Sequence, residues 1–344
     1  MLKIFWQKLA TTTSGGAVLI AFFTIISKLL GLIRDRLLAA AFGAGPVLDS
    51  YYAAFKLPDL IFNTLVLGAL AAAFIPVFTK LWLVDKERAL RVSNIVLNYL
   101  LLVLLILLAI VWLLADRLVP LFTPGFSWEQ WQQTAALTRI MLLSIVFFGI
   151  SNVFGGILNS LRKFLTFSLA PVFYNLGIIL GVTLFYRWWG IEGLAWGVVF
   201  GSCLHFLIQL PETLRAGWFY QWSWRLSGEV KKIFRLMAPR MLGMATQQVN
   251  LLVITVIAST LASGSLAIFN LANNLQSLPI SIFGVSLAIA VFPVFSQTLA
   301  MEDKSGFVAA FSLHFRRIIF LIIPVSIMFL LLRAQIVRVV LGSG

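Results

Sequence analysis

The chain contains 344 residues, of which 61% are hydrophobic and only 11% are charged, and its mean hydropathy is +1.00. This composition excludes a water-soluble globular protein, and the single cysteine, Cys203, excludes an intrachain disulfide framework. A net charge of +14 is also found in nucleic-acid-binding proteins. Here, however, most basic residues flank long hydrophobic segments, so we expect membrane lipids as partners and no nucleic acid.

Nine hydrophobic segments are long enough to cross a membrane as helices, which requires about 20 apolar residues each. Strands of a membrane β-barrel are about half that length, so these segments predict a helical bundle. In chain order, the predicted spans are 11–38, 50–79, 92–115, 135–160, 164–186, 193–212, 240–261, 266–297 and 314–334.

The basic side chains are distributed unequally between the two sides that these spans define. If the N-terminus is cytoplasmic, 17 lysines and arginines lie in the inner loops and flanks, and 4 lie on the outer side. An excess of basic residues marks the cytoplasmic side of a membrane protein. We therefore expect a cytoplasmic N-terminus and an outer side that includes the loops at 117–131 and 187–191.

Two predicted spans end in similar seven-residue motifs, Ala73–Thr79 and Ala290–Ser296. A repeat in corresponding spans is typical of transporters built from two lobes, although so short a match also arises by chance. We predict a two-lobe, all-α polytopic membrane protein with a first lobe of six spans, 1–212. A basic linker, 213–239, would lie on the inner leaflet or bind a partner. The remainder, 240–344, would be an incomplete second lobe of about three spans, which suggests a truncated chain.

Charged residues inside the first two spans are the strongest indication of function. A charged side chain at the centre of a membrane costs about 2.5–3.5 kcal/mol, so it usually serves a function unless it reaches the lipid headgroups. The first span contains Lys28, Arg34 and Asp35, and the second begins next to Asp49 and contains Lys56. These residues are candidates for a substrate site, in which Asp35 or Asp49 would hold Arg34 in place.

The eighth span carries a polar stripe at helical spacing that includes Asn270, Asn273 and Asn274. Amides of this kind either join neighbouring helices or line a cavity. Arg240, at the inner end of the seventh span, is either a substrate-binding cation or an anchor at the membrane interface. We include all four residues among the candidate substrate-binding residues.

The sequence contains no catalytic constellation. His205 and His314 are isolated on different spans, and neither a metal-ligand spacing nor a glycine-rich phosphate loop is present. We therefore expect no enzymatic activity, no bound metal and no cofactor. The membrane potential or an ion gradient would drive transport, and the cations favour an anionic ligand, since arginine binds phosphate oxygens bidentately.

An ordered series of short motifs resembles the MurJ (MviN) lipid II flippase family, within the superfamily of multidrug and oligosaccharidyl-lipid exporters. The resemblance extends over nearly the whole chain. The motifs are Ser27–Asp35, Phe42–Gly45, Asp49, Phe55–Pro58, Phe74–Phe78, Leu158–Ser160, Ala170–Pro171 with Asn175, Gly193–Trp196, Gln209–Pro211, and Pro279 with Phe283–Val285.

The resemblance implies two lobes around a central cationic cavity, alternating access, and outward movement of lipid II in the bacterial plasma membrane. It also places Arg34, Asp35 and Asp49 in or near that cavity. Lys28 stands where an arginine is common in the family. Other departures are Phe62 and Asn63 at positions of usual arginines, Leu67 at an acidic position, and Asn273-Asn274 at a frequent Asp-Arg pair.

We therefore predict a lipid II flippase that acts in peptidoglycan synthesis, with cell-wall synthesis proteins as candidate partners. Three alternatives stay open at this point. The chain could move another polyprenyl-pyrophosphate glycan, export drugs, or serve as a transport-inactive scaffold for wall synthesis. Charges within the membrane favour transport over a scaffold.

Overall fold

The computed structural model describes residues 13–67, 69–281 and 304–342, together with positions 291, 295, 298 and 301. These residues are almost entirely helical and divide into two compact units, Met1–Ala267 and Ile268–Gly344. The boundary predicted at 213–239 is a division into lobes rather than into compact units, and it stays a prediction.

The helices of the first unit are α1 (Thr13–Phe42), α2 (Pro46–Ala54), α3 (Lys56–Ile61), α4 (Ala69–Val84), α5 (Lys86–Phe122), α6 (Trp128–Ser160), α7 (Phe164–Leu180), α8 (Tyr186–Trp189), α9 (Glu192–Leu207), α10 (Leu210–Arg215) and α11 (Gly228–Ser259). Two π-helical stretches, Phe62–Leu67 and Gly181–Phe185, continue α3 and α7. Helix α12 (Ser265–Pro279) begins in the first unit and ends in the second, which also contains α13 (Lys304–Leu331) and α14 (Arg333–Val340).

Seven helical stretches among the described residues are long and apolar enough to cross a membrane: Pro46–Val84, Lys86–Phe122, Trp128–Ser160, Phe164–Trp189, Glu192–Arg215, Gly228–Ser259 and Lys304–Leu331. The expectation of a helical, multi-pass membrane protein is thus confirmed. Helix α1 covers most of the first predicted span, and α12 covers the start of the eighth. Most of the repeated segment at 290–296 lies outside the described residues, so the count of nine spans stays a prediction.

Several long helices begin at side chains that cap their first turn. Asp85 accepts a hydrogen bond from the backbone N–H of Arg88 at the start of α5, at 2.9 Å. Ser127 and Gln130 form a reciprocal capping box at the start of α6. Such caps satisfy N–H groups that a helix leaves unpaired at its N-terminus, so they define where the spans begin.

Helices α7 and α9 approach each other along glycines. A Cβ atom added to Gly177 would lie 2.2 Å from the Cα of Gly201, and one added to Gly181 would lie 2.7 Å from the Cα of Gly197. Only glycine permits two backbones to come this close, as is common where helices pack in membranes. This contact packs α7 and the π-helical stretch that continues it directly against the backbone of α9.

The predicted linker at 213–239 ends with the first turns of α11. Its irregular part, which precedes α11, packs along the side of α5. The buried indole of Trp218 donates to Ser93, at 3.1 Å. Asn94 donates to and accepts from the backbone of this segment, and Asn98 donates to two of its carbonyl groups, the closer at 2.9 Å. Side chains of α5 therefore fix the path of this segment, and its position on the inner leaflet stays a prediction.

Candidate functional site

Arg34 and Asp35, adjacent on α1, form an ion pair in the interior of the first unit. Both Nε and Nη2 of Arg34 donate to Oδ1 of Asp35, at 3.0 and 2.8 Å. Asp35 is 2% exposed, whereas the side chain of Arg34 is 20% exposed. The carboxylate is thus the buried partner, and the guanidinium retains an accessible edge.

Asn175 of α7 completes this group, which we call the Arg34 cluster (Arg34, Asp35, Asn175 and Ser27). Its Oδ1 accepts from Nη1 of Arg34 at 3.2 Å, and its Nδ2 donates to Oγ and the carbonyl oxygen of Ser27, at 3.0 and 3.2 Å. Nδ2 also donates to the carbonyl of Pro171, one turn earlier. The amide is therefore held on both sides and fixes the direction of the guanidinium.

The geometry of the Arg34 cluster leaves donors available. A guanidinium has five N–H groups, and the contacts with Asp35 and Asn175 use three of them. Within the described part of the chain, one N–H on Nη1 and one on Nη2 remain available to a ligand. Two donors on one planar group match the oxygen atoms of a phosphate or carboxylate.

Asp49, on α2, joins the first turn of α12. Its Oδ2 accepts from the backbone N–H of Gly264 at 2.6 Å, and its Oδ1 accepts from that of Ala267 at 2.8 Å. A carboxylate at a helix N-terminus satisfies unpaired N–H groups and the positive end of the helix dipole. Gly264 has φ +90°, and an added Cβ there would lie 2.3 Å from the carbonyl oxygen of Ala44. These contacts, which we call the Asp49 latch, hold the turn before α12 against the α1–α2 turn.

The remaining predicted site residues are distributed over several helices. Lys28 lies on α1, Lys56 begins α3, and Arg240 is exposed on α11. The amides predicted to form a polar stripe lie on α12 within the second unit, where one is exposed and two are half-buried. They are Asn273, which is exposed, with Asn270 and Asn274.

A cavity of about 480 Å³ lies within the first unit, and Lys28 is among its lining residues. We call it the first-unit cavity. Helices α1, α4, α6, α7 and α9 all contribute to its wall. Its polar lining includes Asn152, Asn159, His205 and Gln209, and its apolar lining includes Ile20, Ile75 and Phe167.

One wall of the cavity is a hydrogen-bonded group that joins α6 to the end of α9. Ser151 Oγ lies 2.6 Å from His205 Nδ1, and Gln209 Nε2 donates to the same Oγ at 2.7 Å. Because Ser151 accepts from Gln209, its single hydroxyl proton can be donated either to the imidazole nitrogen or to the carbonyl oxygen of His205, which lies 3.3 Å away. His205, which is isolated along the sequence, thus has two polar neighbours in the fold.

The sequence interpretation missed the roles of Asn175 and of the group around His205. An amide within the apolar segment 164–186 is a detectable signal, since buried amides require partners. The alignment of Ser151 with His205 depends on how α6 packs against α9, which no local pattern specifies. Among the described residues, no group of three or more histidines, cysteines or acidic residues is arranged to hold a metal ion.

Comparisons with known proteins agree with the resemblance seen in the motifs. The sequence model of the family described as "Lipid II flippase MurJ" matches residues 38–344. A probable lipid II flippase MurJ from Vibrio cholerae is 30% identical over 348 residues, covering 95% of this chain and 65% of the relative. The chain spans 57–65% of the length of the curated relatives considered.

Solved structures with similar folds include two membrane transporters. A lipid II flippase MurJ in an inward closed conformation has a TM-score of 0.79 and 25% identity, covering 95% of this chain and 68% of its own. An inward-facing multidrug resistance MATE family transporter of the MOP superfamily has a TM-score of 0.70 and 18% identity, covering 94% and 75%. The second likeness concerns the fold alone, and it agrees with the superfamily that the motifs suggested.

Proposed function

Because the chain belongs to the lipid II flippase MurJ family, we propose that it moves lipid II from the inner to the outer leaflet of a membrane. Transport would proceed by alternating access, in which the substrate site opens to one side at a time. This family is one of transporters rather than of enzymes, and we propose no catalytic step, no metal and no cofactor.

The observation that carries this proposal is the partly exposed guanidinium of Arg34, which its neighbours hold in a fixed direction on α1. Asp35 and Asn175 occupy three of its donors, so the two remaining N–H groups are already oriented. A pyrophosphate supplies matching oxygen atoms, and the low-dielectric surroundings strengthen the attraction. We propose that Arg34 binds the pyrophosphate of lipid II.

The other candidate residues would assist this contact. Lys28 adds a second cation on the same helix, six residues before Arg34. Lys56 would lie along the entry path. Asp35 orients Arg34, and Asp49 closes the side of the protein that we propose faces outward. The amides of α12 and the guanidinium on α11 would contact the substrate from the other lobe; these residues are Asn270, Asn273, Asn274 and Arg240.

We propose that the Asp49 latch is one of the contacts that break when the substrate site opens to the outer side. It joins α2 to α12 at one end of the spans, and Ser259 approaches the α5–α6 loop near that end. Releasing lipid II on the outer side would require breaking such contacts. Hydrogen bonds to a charged group contribute about 1.5–3 kcal/mol, a free energy that substrate binding can offset.

We further propose a location in the bacterial plasma membrane with a cytoplasmic N-terminus, and a membrane potential or ion gradient as the driving force. The unequal distribution of basic residues supports this orientation. In intact cells, an impermeant thiol reagent should label cysteines placed at 117–131 and 187–191 but not at 215–235. Labelling at 215–235 would reject the orientation.

The direct test is transport of lipid II itself. Proteoliposomes containing the purified protein and fluorescent lipid II should move the lipid between leaflets, and expression of the gene should restore growth to cells depleted of their own flippase. A lipid-linked glycan without a peptide should serve as the comparison substrate. Absence of lipid II movement by correctly inserted, folded protein would refute the proposal.

A further inference from the structure

We propose that a group of charged residues at the turn between α6 and α7 binds the headgroup of an anionic phospholipid. The group, which we call the basic turn, consists of Arg162, Lys163, Glu212 and Arg215. The lipid concerned is a component of the surrounding membrane and not the transported substrate.

Arg162 has a backbone conformation that is unfavourable for an arginine. Its φ is +58°, and among the described residues it is the one residue other than glycine with a positive φ. The N–H of Arg162 donates to the carbonyl of Asn159 at 3.0 Å. The N–H of Lys163 donates to the carbonyl of Leu158 at 2.8 Å. These two hydrogen bonds form a Schellman motif at the end of α6, in which the position of Arg162 is usually glycine. A Cβ atom makes this conformation unfavourable, and strained positions of this kind often occur where a side chain serves a function.

The basic turn carries more positive charge than its own carboxylate neutralises. Nζ of Lys163 lies 2.8 Å from Oε1 of Glu212, and Nη1 of Arg215 lies 3.4 Å from Oε2 of the same residue. One carboxylate therefore serves two cations. Arg162 is an exposed third cation, and the described residues place no carboxylate at ion-pair distance from it. Three positive charges against one negative charge make this surface attractive to an anion.

The charges of the basic turn lie at the ends of three helical stretches that are long enough to cross a membrane. One stretch ends at Ser160 and the next begins at Phe164, while Arg215 ends a third. The ion pair between Lys163 and Glu212 holds the end of the third stretch beside the turn. Basic side chains at the ends of membrane spans lie near the lipid headgroups, where they attract anionic phospholipids. A phospholipid phosphate is therefore the anion that we propose for this surface.

The segment that follows α10 supports a lipid as the partner. Its side chains Phe219, Tyr220 and Trp222 are each more than half exposed. The backbone here is fixed, because Asn94 donates to the carbonyl of Phe219 and Asn98 donates to that of Gln221. Tyrosine and tryptophan are enriched where a membrane meets water. Exposed aromatic rings that follow a cationic turn match a surface composed of anionic headgroups and the acyl chains beneath them.

A fluorescence-quenching experiment tests for the lipid at this surface. In a Cys203→Ser background, Leu214→Cys introduces a single thiol at an exposed residue of α10, next to Arg215. The protein carries a fluorophore on this thiol and is reconstituted in phosphatidylcholine vesicles that contain increasing fractions of dibrominated phosphatidylglycerol. We expect half-maximal quenching at a lower lipid fraction than with dibrominated phosphatidylcholine. A fluorophore at Ile106→Cys, exposed in the middle of α5, should not distinguish the two lipids.

Removing the charge of Arg162 should weaken this lipid preference. Arg162→Gln should raise the fraction of phosphatidylglycerol needed for half-maximal quenching about fivefold, as expected for one basic residue at an anionic surface. Arg162→Lys should leave that fraction nearly unchanged, because the charge remains. Arg117→Gln removes an exposed arginine of α5 that lies outside the basic turn, so it is the matched control and should have no effect.

Thermal unfolding in detergent micelles without anionic lipid tests whether Arg162 is strained. Arg162→Gly should not lower the midpoint of unfolding, because glycine adopts a φ of +58° without a steric penalty. Arg117→Gly, in the interior of α5, should lower it, as glycine does in most helices. Arg162→Gly should also lose the lipid preference to the same extent as Arg162→Gln. Unchanged or higher stability together with weaker lipid binding is not expected of a residue with a purely structural role.

Several results would overturn the inference. Equal quenching of the Leu214→Cys fluorophore by the two brominated lipids would show that no anionic lipid is preferred there, and so would an unchanged preference in Arg162→Gln. If the midpoint of Arg162→Gly fell as far as that of Arg117→Gly, Arg162 would have a structural role. If inorganic phosphate or a soluble acidic peptide abolished the preference at constant ionic strength, the basic turn would bind a partner from solution instead of a lipid.

Discussion

The first unit contains two polar groups that differ in how completely the protein satisfies them. In the Arg34 cluster, the buried carboxylate and the buried amide all have partners, and the guanidinium uses three of its five donors. In the first-unit cavity, the buried Gln209 retains an acceptor for which no described residue supplies a donor. The first group is assembled before any ligand arrives, whereas the second keeps one buried acceptor unpaired among the described residues.

This difference suggests a division of labour. A set of partners that is nearly complete fixes direction, and it therefore suits a charge that must be presented to a phosphate at low cost in entropy. A buried acceptor without a donor, such as Oε1 of Gln209, costs about 1–3 kcal/mol and presents nothing to a ligand. If this contrast is correct, substitutions in the Arg34 cluster should impair transport or lipid II binding more than substitutions of exposed charged residues.

The largest effect is expected from Arg34→Ala. The substitution removes the proposed phosphate donor and leaves Asp35 buried without its cation, a change that costs about 3–5 kcal/mol for a buried pair. Growth of flippase-depleted cells should not be restored, and lipid II movement in proteoliposomes should be lost.

A double variant separates binding from folding in that experiment. Arg34→Ala with Asp35→Asn removes both charges, so much of the lost stability should return while transport stays absent. Arg34→Lys should retain part of the activity, because the charge remains but the paired donors do not. Normal growth with Arg34→Ala would show that this arginine is dispensable.

The sequence predicted these two groups to different extents, for a physical reason. Arg34 and Asp35 are adjacent and stand out because charge is costly in a membrane helix. Asn175 lies 141 positions from Arg34, and Gly264 lies 215 positions from Asp49, so these contacts exist only once the helices have packed. Hydropathy specifies where spans occur, but it carries little information about which faces meet.

The next largest effect is expected from Asp49→Ala, which removes the acceptor of the Asp49 latch. Hydrogen bonds to a charged group contribute about 1.5–3 kcal/mol, so the free energy of unfolding in mixed micelles should fall by about that amount. Opening on the proposed outer side should also become more frequent, which faster external labelling of cysteines near residue 264 would reveal.

Asp116→Ala is the matched control for the latch. Asp116 pairs with Arg139 at 2.6 Å, but its side chain is 66% exposed, and exposed pairs contribute at most about 1 kcal/mol. An equal loss of stability in the two variants would mean that the latch is no stronger than an ordinary surface ion pair.

A smaller effect is expected from Asn175→Ala, which releases one donor of Arg34 without removing its charge. Loss of one hydrogen bond in a buried group should reduce lipid II affinity about tenfold, because the guanidinium is no longer fixed in direction. Asn98→Ala is the control: it also removes a buried asparagine with two bonds to carbonyl groups, but it lies on α5 against the linker. Both variants should lose stability, and only Asn175→Ala should lose affinity for lipid II.

The smallest effect is expected from Arg240→Lys. Arg240 is a candidate from the sequence, yet in the structure its side chain is exposed on α11, in contrast to the partners that surround Arg34. An exposed cation that is not fixed by neighbours can be replaced by another cation, and such surface changes usually stay within about 0.5 kcal/mol. Lipid II affinity should therefore remain within about twofold to threefold of the unchanged protein.

The charge-removing variant, Arg240→Gln, completes that test. If Arg240 is an anchor at the membrane interface, Arg240→Gln should also bind lipid II normally and alter only insertion or expression. A clamp on the pyrophosphate would behave otherwise, since Arg240→Lys would lose the bidentate geometry and weaken binding about tenfold or more. That result would mean that the substrate orders an exposed arginine. A guanidinium could then bind phosphate without being fixed by hydrogen bonds in the unbound protein, as that of Arg34 is.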